Sequence, residues 1–598
     1  MPNEKEEQTR DSRRVNITLL LAQTLGLQTM LFLPFIGVSA GAAGHAIVYA
    51  LIYIVIGIPV MYMENVVGQF TGRDCIEVWK ARPCLAHFGY VHIIWQLLHL
   101  VYLFALGSFI VHYFLISFEN PIPYYICGNW STADCDILIV NYTVNQECVR
   151  AKETMPYCSE LCQTFPEVQY WRYNILGMKR KGFHLPWRVC LASGMLASIL
   201  FLSCFKGRLS LKWALLIVSI LPTSGRILFF IGSMFQKGIV VKFEQAFDTD
   251  FNKFIQRFSL STSIADVLYT LNVGTGLSFA CASKTTFRAP CYSNTVIVVV
   301  ITCCVSMLGI CGTVMMICPY AYKYDIDPVR VMNYPISHIF EKVPRFLYVY
   351  EQTSFWLIIS YSYIAISAFT LNICIISSLI EMVSKRYSKV AINPGLTAFV
   401  IAITMYLATV PLLGNLSLYF LVDAKRTMNL VSIFLVICEN FVFVLWYGLE
   451  RFSEDVHFMQ GVQPKSSVKA CWLVSGFILV YVLVTQLYII YVDKNHTTGN
   501  KFACYFLIIN ICVTVLVTIV KLVIALYKKN LYEQLSLDSE WGPKSEILRR
   551  SRAMFSAQAM TKEYMYRQYH LQAGILKRQQ RSNVRVKQPG VRFDVEKK

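Results

Sequence analysis

Apolar residues along this chain come in long, uninterrupted blocks. They lie near 17–37, 45–70, 88–118, 188–205, 211–234, 259–282, 293–322, 353–383, 395–413, 427–448, 468–492 and 502–527. A helix needs about 20 apolar residues to cross a bilayer core, so the pattern predicts an all-α membrane protein with about twelve spans. The longer blocks are expected to tilt or to run past the bilayer. The first block follows Arg10, Arg13 and Arg14 and has no small-residue cleavage site. It reads as a retained span with the N-terminus in the cytosol.

Composition agrees. Of 598 residues, 55% are hydrophobic and 15% charged, and the mean hydropathy is +0.48. A soluble chain carries about a quarter charged residues, so a soluble or disordered protein is excluded. The net charge of +19 would suggest nucleic acid in a soluble protein. Here basic residues are expected in cytosolic loops, and no nucleic-acid partner is expected. The 71 residues from Lys528 carry 16 basic and 7 acidic side chains. The chain divides into a cytosolic N-terminus (1–16), a membrane domain (17–527) and a basic cytosolic tail (528–598) near anionic lipid. Nothing in the pattern specifies an oligomeric state.

Parity places the loop 119–187 outside, together with the connection between the last two spans. Three acceptor sequons fall in these two segments, at Asn129, Asn141 and Asn495, where a luminal enzyme reaches them. Asn16 heads a fourth sequon on the cytosolic edge, expected to stay unmodified. Most of the 20 cysteines lie in apolar blocks and read as small hydrophobes. Cys127 and Cys135 stand eight apart in an oxidising compartment, so a bridge is favoured over two free thiols. Cys148, Cys158 and Cys162 leave an odd count with no readable pairing.

Several local patterns occur together. They are Gly57-Ile58-Pro59-Val60-Met61-Tyr62-Met63-Glu64 with Gly68-Gln69-Phe70, then Gly89-Tyr90, then Cys127, Trp130 and Cys135. Cys291-Tyr292, Tyr447-Gly448, Arg451-Phe452, Asp455-Val456, Met459, Gly461 and Trp541-Gly542-Pro543 follow in order. In this series the chain resembles the neurotransmitter:sodium symporter family over nearly its whole length. The resemblance implies two five-helix inverted repeats with broken first and sixth helices, plus two extra C-terminal helices, and solute held at mid-membrane. The residues support the breaks independently. Gly26 and Pro34 interrupt the first block, and Asn272-Val273-Gly274-Thr275-Gly276 interrupts the sixth. Such residues destabilise a helix interior, and bare backbone survives in a membrane only where it lines a protein cavity.

The resemblance also assigns positions. Gly26, Tyr102, Leu103, Asn272, Val273 and Gly274 fall at solute-contacting places. Gly26 stands where amine-selective members carry an aspartate, which disfavours a monoamine. Leu103 replaces the tyrosine that helps to hold a substrate carboxylate. Thr24, Thr29, Thr270 and Thr302 correspond to the first sodium site, with threonines at both asparagine positions. The second site corresponds to Ala22, Leu25, Tyr363 and Ser367, with apolar Ile366 at a neighbouring ligand position. These residues read equally as ordinary helix-packing threonines and serines. Tyr49, Thr270 and Ser306 match chloride ligands, while Asp266 stands at the glutamine position. An ionised carboxylate there repels chloride and supplies negative charge itself. The alternative is that Asp266 faces water or pairs with a base such as Lys284 or Arg288. At the outer gate the family's arginine is Phe32, and its acidic partner is Ala424, beside Asp423. The cytosolic latch is replaced by Glu7 and Arg10, while Glu381 keeps the latch's acidic partner. Glu64 and Glu439 read as buried acids meeting backbone or hydroxyl donors. His45, His99 and His112 read as satisfied interior histidines.

No nucleophile elbow, phosphate loop or zinc pattern is present, so no enzyme and no bound cofactor are expected. The leading expectation is a secondary transporter of a small organic solute at the plasma membrane, coupled to sodium and independent of chloride. A transport-silent, receptor-like or scaffolding relative is the alternative. A channel-like leak is a third possibility.

Overall fold

The computed structural model describes residues 13–555, apart from Val15, Ala40, 133–134, 136–164, 179–183, 206–207, 248–250, 258, 329–337, 388–393, 416, 493–497 and 539. Asn141, Asn495, Cys148, Cys158, Cys162, Glu7, Arg10 and the tail beyond 555 lie outside the described residues. The described chain is helical. A bent pair opens the bundle, α1 (Asn16–Thr24) and α2 (Gln28–Ser39), with 51° between its halves. Ten helices are long and apolar enough to cross a membrane. The first four are α3 (Ala42–Thr71), α4 (Pro83–Ile116), α5 (Trp187–Cys204) and α6 (Trp213–Ser233). The sixth apolar block is split into α7 (Leu260–Thr270) and α8 (Leu277–Ala282), each too short to span alone. The remaining six are α9 (Cys291–Lys323), α10 (Thr353–Arg386), α11 (Pro394–Leu413), α12 (Thr427–Trp446), α13 (Ser466–Tyr491) and α14 (Ile508–Tyr527).

Burial sorts these helices. The most apolar stretch of α10 is 89% buried and that of α4 is 72%, whereas α14 reaches only 11%. On α14, Ile508, Ile509, Val513, Leu516 and Val523 are exposed. An apolar helix with so little protein around it needs lipid as its solvent. The inner helices α10 and α4 pack together, and α10 also packs on α6. The split pair is held against α3, α12 and α13.

The sequence landmarks mark close contacts. A Cβ at Gly68 would lie 2.7 Å from the Phe279 carbonyl oxygen, so glycine is what lets α3 approach α8. At the next residue, the Gln69 amide donates to the carbonyls of Thr286, Phe287 and Ala289 at 2.9–3.2 Å and fixes the turn after α8. Tyr62 meets Tyr292 edge-on, with ring centres 5.2 Å apart. Trp541 stacks on Phe443 and packs against Tyr447, whose hydroxyl donates to Asp455 at 2.5 Å. Arg552 closes this clasp with bonds to Asp455 and Glu454.

At the other end, Cys127 and Cys135 form the expected disulfide. Asn129 is exposed beside it. The neighbouring segment is tied to the short helix His338–Leu347 between α9 and α10. Arg345 faces Glu167 at 3.4 Å, and Arg172 faces Glu341 at 3.0 Å. The first pair is nearly fully buried. Burial pushes the Glu167 carboxyl above the ordinary carboxylate range, against the pull of Arg345.

Arg345→Met leaves a buried carboxylate without its cation and is expected to cost about 3–5 kcal/mol at neutral pH. Raising the folded-state pKa of an acid removes stability as pH rises, so the loss shrinks as the medium is acidified toward Glu167 protonation. Thermal unfolding of purified protein checks this. The double variant Glu167→Gln/Arg345→Met is expected to recover most of the loss and to flatten the pH dependence.

Candidate functional site

The split in the sixth block follows from backbone geometry. Asn272, Gly274 and Gly276 all have left-handed φ values, 53°, 73° and 77°. A Cβ at Gly274 would come within 2.4 Å of the Ser432 carbonyl oxygen. No regular helix contains three such residues in five. The first block is interrupted differently: it bends at Leu25 and Gly26, between α1 and α2, and α2 opens on a wide turn over Gln28–Phe32 ahead of Pro34, which has no N–H to give.

The two interruptions face each other. The buried Gln23 amide donates to the Leu271 carbonyl at 3.3 Å and to the Ser278 hydroxyl at 2.8 Å. Asn272 returns a bond of 2.6 Å to the Gln23 carbonyl. Gln96 donates to the Thr275 carbonyl at 2.8 Å, and the Gly274 N–H donates to Glu64 at 2.6 Å. The unwound backbone is therefore paired by side chains of α1, α3 and α4. Of the expected solute positions, Asn272 and Gly274 are engaged in this frame. Val273, Tyr102 and Leu103 are buried, and Gly26 lies beside Leu371.

Glu64 meets a backbone donor, as the sequence suggests. Glu439 instead meets an imidazole, with His92 Nε2 at 3.0 Å from its carboxyl. The other ring nitrogen, Nδ1, lies 3.0 Å from the Phe88 carbonyl. A carbonyl only accepts, so Nδ1 carries a hydrogen, and one further proton lies between Nε2 and Glu439. His99 pairs with the Tyr269 hydroxyl and His112 with that of Tyr170, as interior histidines do. His45 is buried against Tyr49 and Phe254.

The four threonines of the first sodium position are all buried. Thr24 and Thr302 hydroxyls are 2.7 Å apart, and the Thr29 hydroxyl donates to the Thr24 carbonyl. Thr270 donates back to the Asp266 carbonyl at 2.7 Å. Thr24 thus links α1 to α2 through its carbonyl and to α9 through its hydroxyl, oxygens of the kind a hard cation takes. The second position fits an ion poorly. Ala22, Leu25, Tyr363 and Ser367 are buried there, but Ile366 offers no oxygen. The Ser367 hydroxyl donates to the Ile364 carbonyl at 2.7 Å, which leaves its lone pairs to accept. Close by, the buried Arg226 guanidinium bonds the Tyr363 hydroxyl at 2.7 Å.

At the chloride positions, Asp266 is buried and Ser306 receives a tyrosine hydroxyl at 3.1 Å. That tyrosine is Tyr53, about one turn on from the expected Tyr49, where α3 widens over Tyr53–Gly57. Tyr49 is buried near His45 and Gly37. The cation acting on Asp266 is Lys425, whereas Lys284 pairs with Glu381 at 3.0 Å. The Lys425 ammonium also stands 4.4 Å from the centre of the Phe32 ring. Lys425, on the helix carrying α12, thus stands over Phe32, the residue at the family's gate-arginine position. Near the end of α10, Glu381 is held by Lys284 and Lys385, both at 3.0 Å.

Gln23, His92, Arg226 and Lys425 were not singled out from the sequence. Arg226 and Lys425 carried a usable signal, because a basic residue inside or beside an apolar block is a functional candidate by default. Gln23 and His92 carried none, since a single amide or imidazole reveals its partner only when the helices are assembled.

Comparison with known proteins accords with this geometry. The model of the sodium:neurotransmitter symporter family matches residues 11–530. The sodium- and chloride-dependent glycine transporter 1 of Xenopus laevis is 20% identical over 477 residues, 77% of this chain and 75% of that protein. The sodium- and chloride-dependent glycine transporter 2 of the same species is 23% identical over 516 residues, 79% of this chain and 63% of that longer protein. A match of this extent, over two interrupted helices joined at mid-bundle, assigns the chain to a family of membrane transporters rather than enzymes: it is a divergent member of the sodium:neurotransmitter symporter family.

Proposed function

We propose that this protein is a secondary active transporter. It carries a small organic solute, an amino acid or a related compound, inward across the plasma membrane, coupled to sodium and independent of chloride. The observation that carries the reading is the facing pair of interruptions, bridged by Gln23 and Asn272. A protein with no solute to bind gains nothing from unwinding two helices at mid-membrane, where unpaired backbone costs several kcal/mol per group. The threonine oxygens beside the break support a cation there. The glycine transporters it matches make glycine the first solute to test, and Gly26 leaves no carboxylate for an amine.

Asp266 supports chloride independence. Its carboxylate stands where chloride binds in relatives, and like charges exclude each other in a buried space. Lys425 balances part of that charge, so the pair leaves little need for a mobile anion. Both termini are placed in the cytosol, with Asn129, Asn141 and Asn495 glycosylated outside and the basic tail near the inner leaflet.

The second reading, a transport-silent relative, draws on the second sodium position, where Ile366 offers an ion no oxygen. Uptake of labelled glycine, other amino acids and osmolytes separates the two in cells with confirmed surface protein. Saturable uptake lost on replacing sodium is the expected result. Uptake equal to that of mock cells for every solute would favour the silent reading.

Replacing chloride with gluconate is expected to leave wild-type uptake unchanged. Asp266→Gln restores an uncharged amide and is expected to make uptake chloride-dependent. Loss of wild-type uptake in gluconate would contradict the role given to Asp266.

A further inference from the structure

Arg226 lies in the middle of α6 and is only 2% exposed. No acidic side chain among the described residues comes within ion-pair distance of it. Its charge is held by neutral oxygens instead. One terminal nitrogen donates to the Met30 carbonyl at 3.3 Å and to the Tyr363 hydroxyl at 2.7 Å. The other donates to the Gly309 carbonyl and to the Thr313 hydroxyl, the latter at 3.0 Å. The guanidinium carbon also lies 5.4 Å from the centre of the Tyr363 ring. Four oxygens from α2, α9 and α10 surround one positive charge.

The Met30 carbonyl is the acceptor that Pro34, four residues later and without an N–H, cannot serve. Pro34 itself packs close to Gly309, where an added Cβ would lie 2.5 Å from its ring. Arg226 therefore supplies the donor that the interrupted first block lacks, and the same group reaches α10 through Tyr363. An ion at the second sodium position, bounded by Ala22, Leu25, Tyr363 and Ser367, would join the same two elements, the first block and α10. That position lacks one side-chain oxygen, because Ile366 is apolar. Leu25 and Met30 form a small apolar cluster with Val305.

We propose that Arg226 is a resident cation that takes over the task of the second sodium ion, so that the chain binds no more than one sodium. The guanidinium joins the broken first helix to α9 and α10 in every state that keeps these bonds. Its charge also repels a second cation at the neighbouring position. The proposal rests on the family positions used above, but it concerns ion binding alone and does not require transport.

The test is equilibrium binding of radioactive sodium to purified, monodisperse protein, with the number of sites read at saturation. Wild type and Ile366→Thr are both expected to bind at most one sodium, because the added hydroxyl leaves the resident charge in place. The double variant Arg226→Gln/Ile366→Thr is expected to bind one ion more than wild type. Arg226→Lys/Ile366→Thr keeps the charge and is expected not to gain the site, which separates the charge from general packing. Two sodium ions on wild type, or a second gained by Ile366→Thr alone, would overturn the proposal; these two measurements stand even if the Arg226 variants do not fold. No sodium on wild type, with one gained by the double variant, would support the role of Arg226 while removing sodium coupling from the proposed function.

Discussion

Backbone that leaves the helix inside a membrane protein must still find partners, and this constraint organises the centre of the molecule. Two stretches, near residues 24–28 and 271–276, give up regular helical bonding. Each unpaired group there would cost several kcal/mol in an apolar interior. Gln23 and Asn272 answer part of that demand by bonding each other's backbone across the gap. Gln96 and Glu64 answer more from α4 and α3. The close approach of α3 at Gly68 and the left-handed Gly274 allow those side chains to arrive.

Charge is arranged around the same centre. Several ionisable side chains of this chain are buried inside the bundle. Arg226 sits among four neutral oxygens. Lys425 acts on Asp266 and faces Phe32. His92 and Glu439 share a proton beside Glu64. A fixed charge costs solvation once, at folding, and is offset by hydrogen bonds that do not dissociate with each cycle. The substitutions at ion and gate positions thus replace one another's work rather than merely removing it.

Much of the fold was readable in the chain. Ten of the twelve apolar blocks located the ten long helices of the described residues, because crossing a bilayer demands length and apolarity that no other structure needs so insistently. Asn272, Gly274 and Gly276 announced the sixth break, since only such residues adopt left-handed backbone cheaply. The site was readable in part. Three of the four threonines expected at the first sodium position are linked by hydrogen bonds, while Thr270 bonds the Asp266 carbonyl, and Tyr53 rather than Tyr49 reaches Ser306. The wide turn in α3 shifts the pattern there, and position counting assumes an unbroken helix. Lys425 was hidden because it lies on a different helix from Phe32, and only the assembled bundle brings the two together.

The most direct test of this account concerns the bond between the two breaks. Gln23→Ala, Asn272→Ala and the double variant can be compared by thermal unfolding of the purified protein, measured at equal expression. If the two side chains act as one frame, each single variant loses much of what the double variant loses. The coupling between them is then about 1–3 kcal/mol. Small, additive losses from the two substitutions would contradict the account, because the unwound segments would then be held by something other than each other.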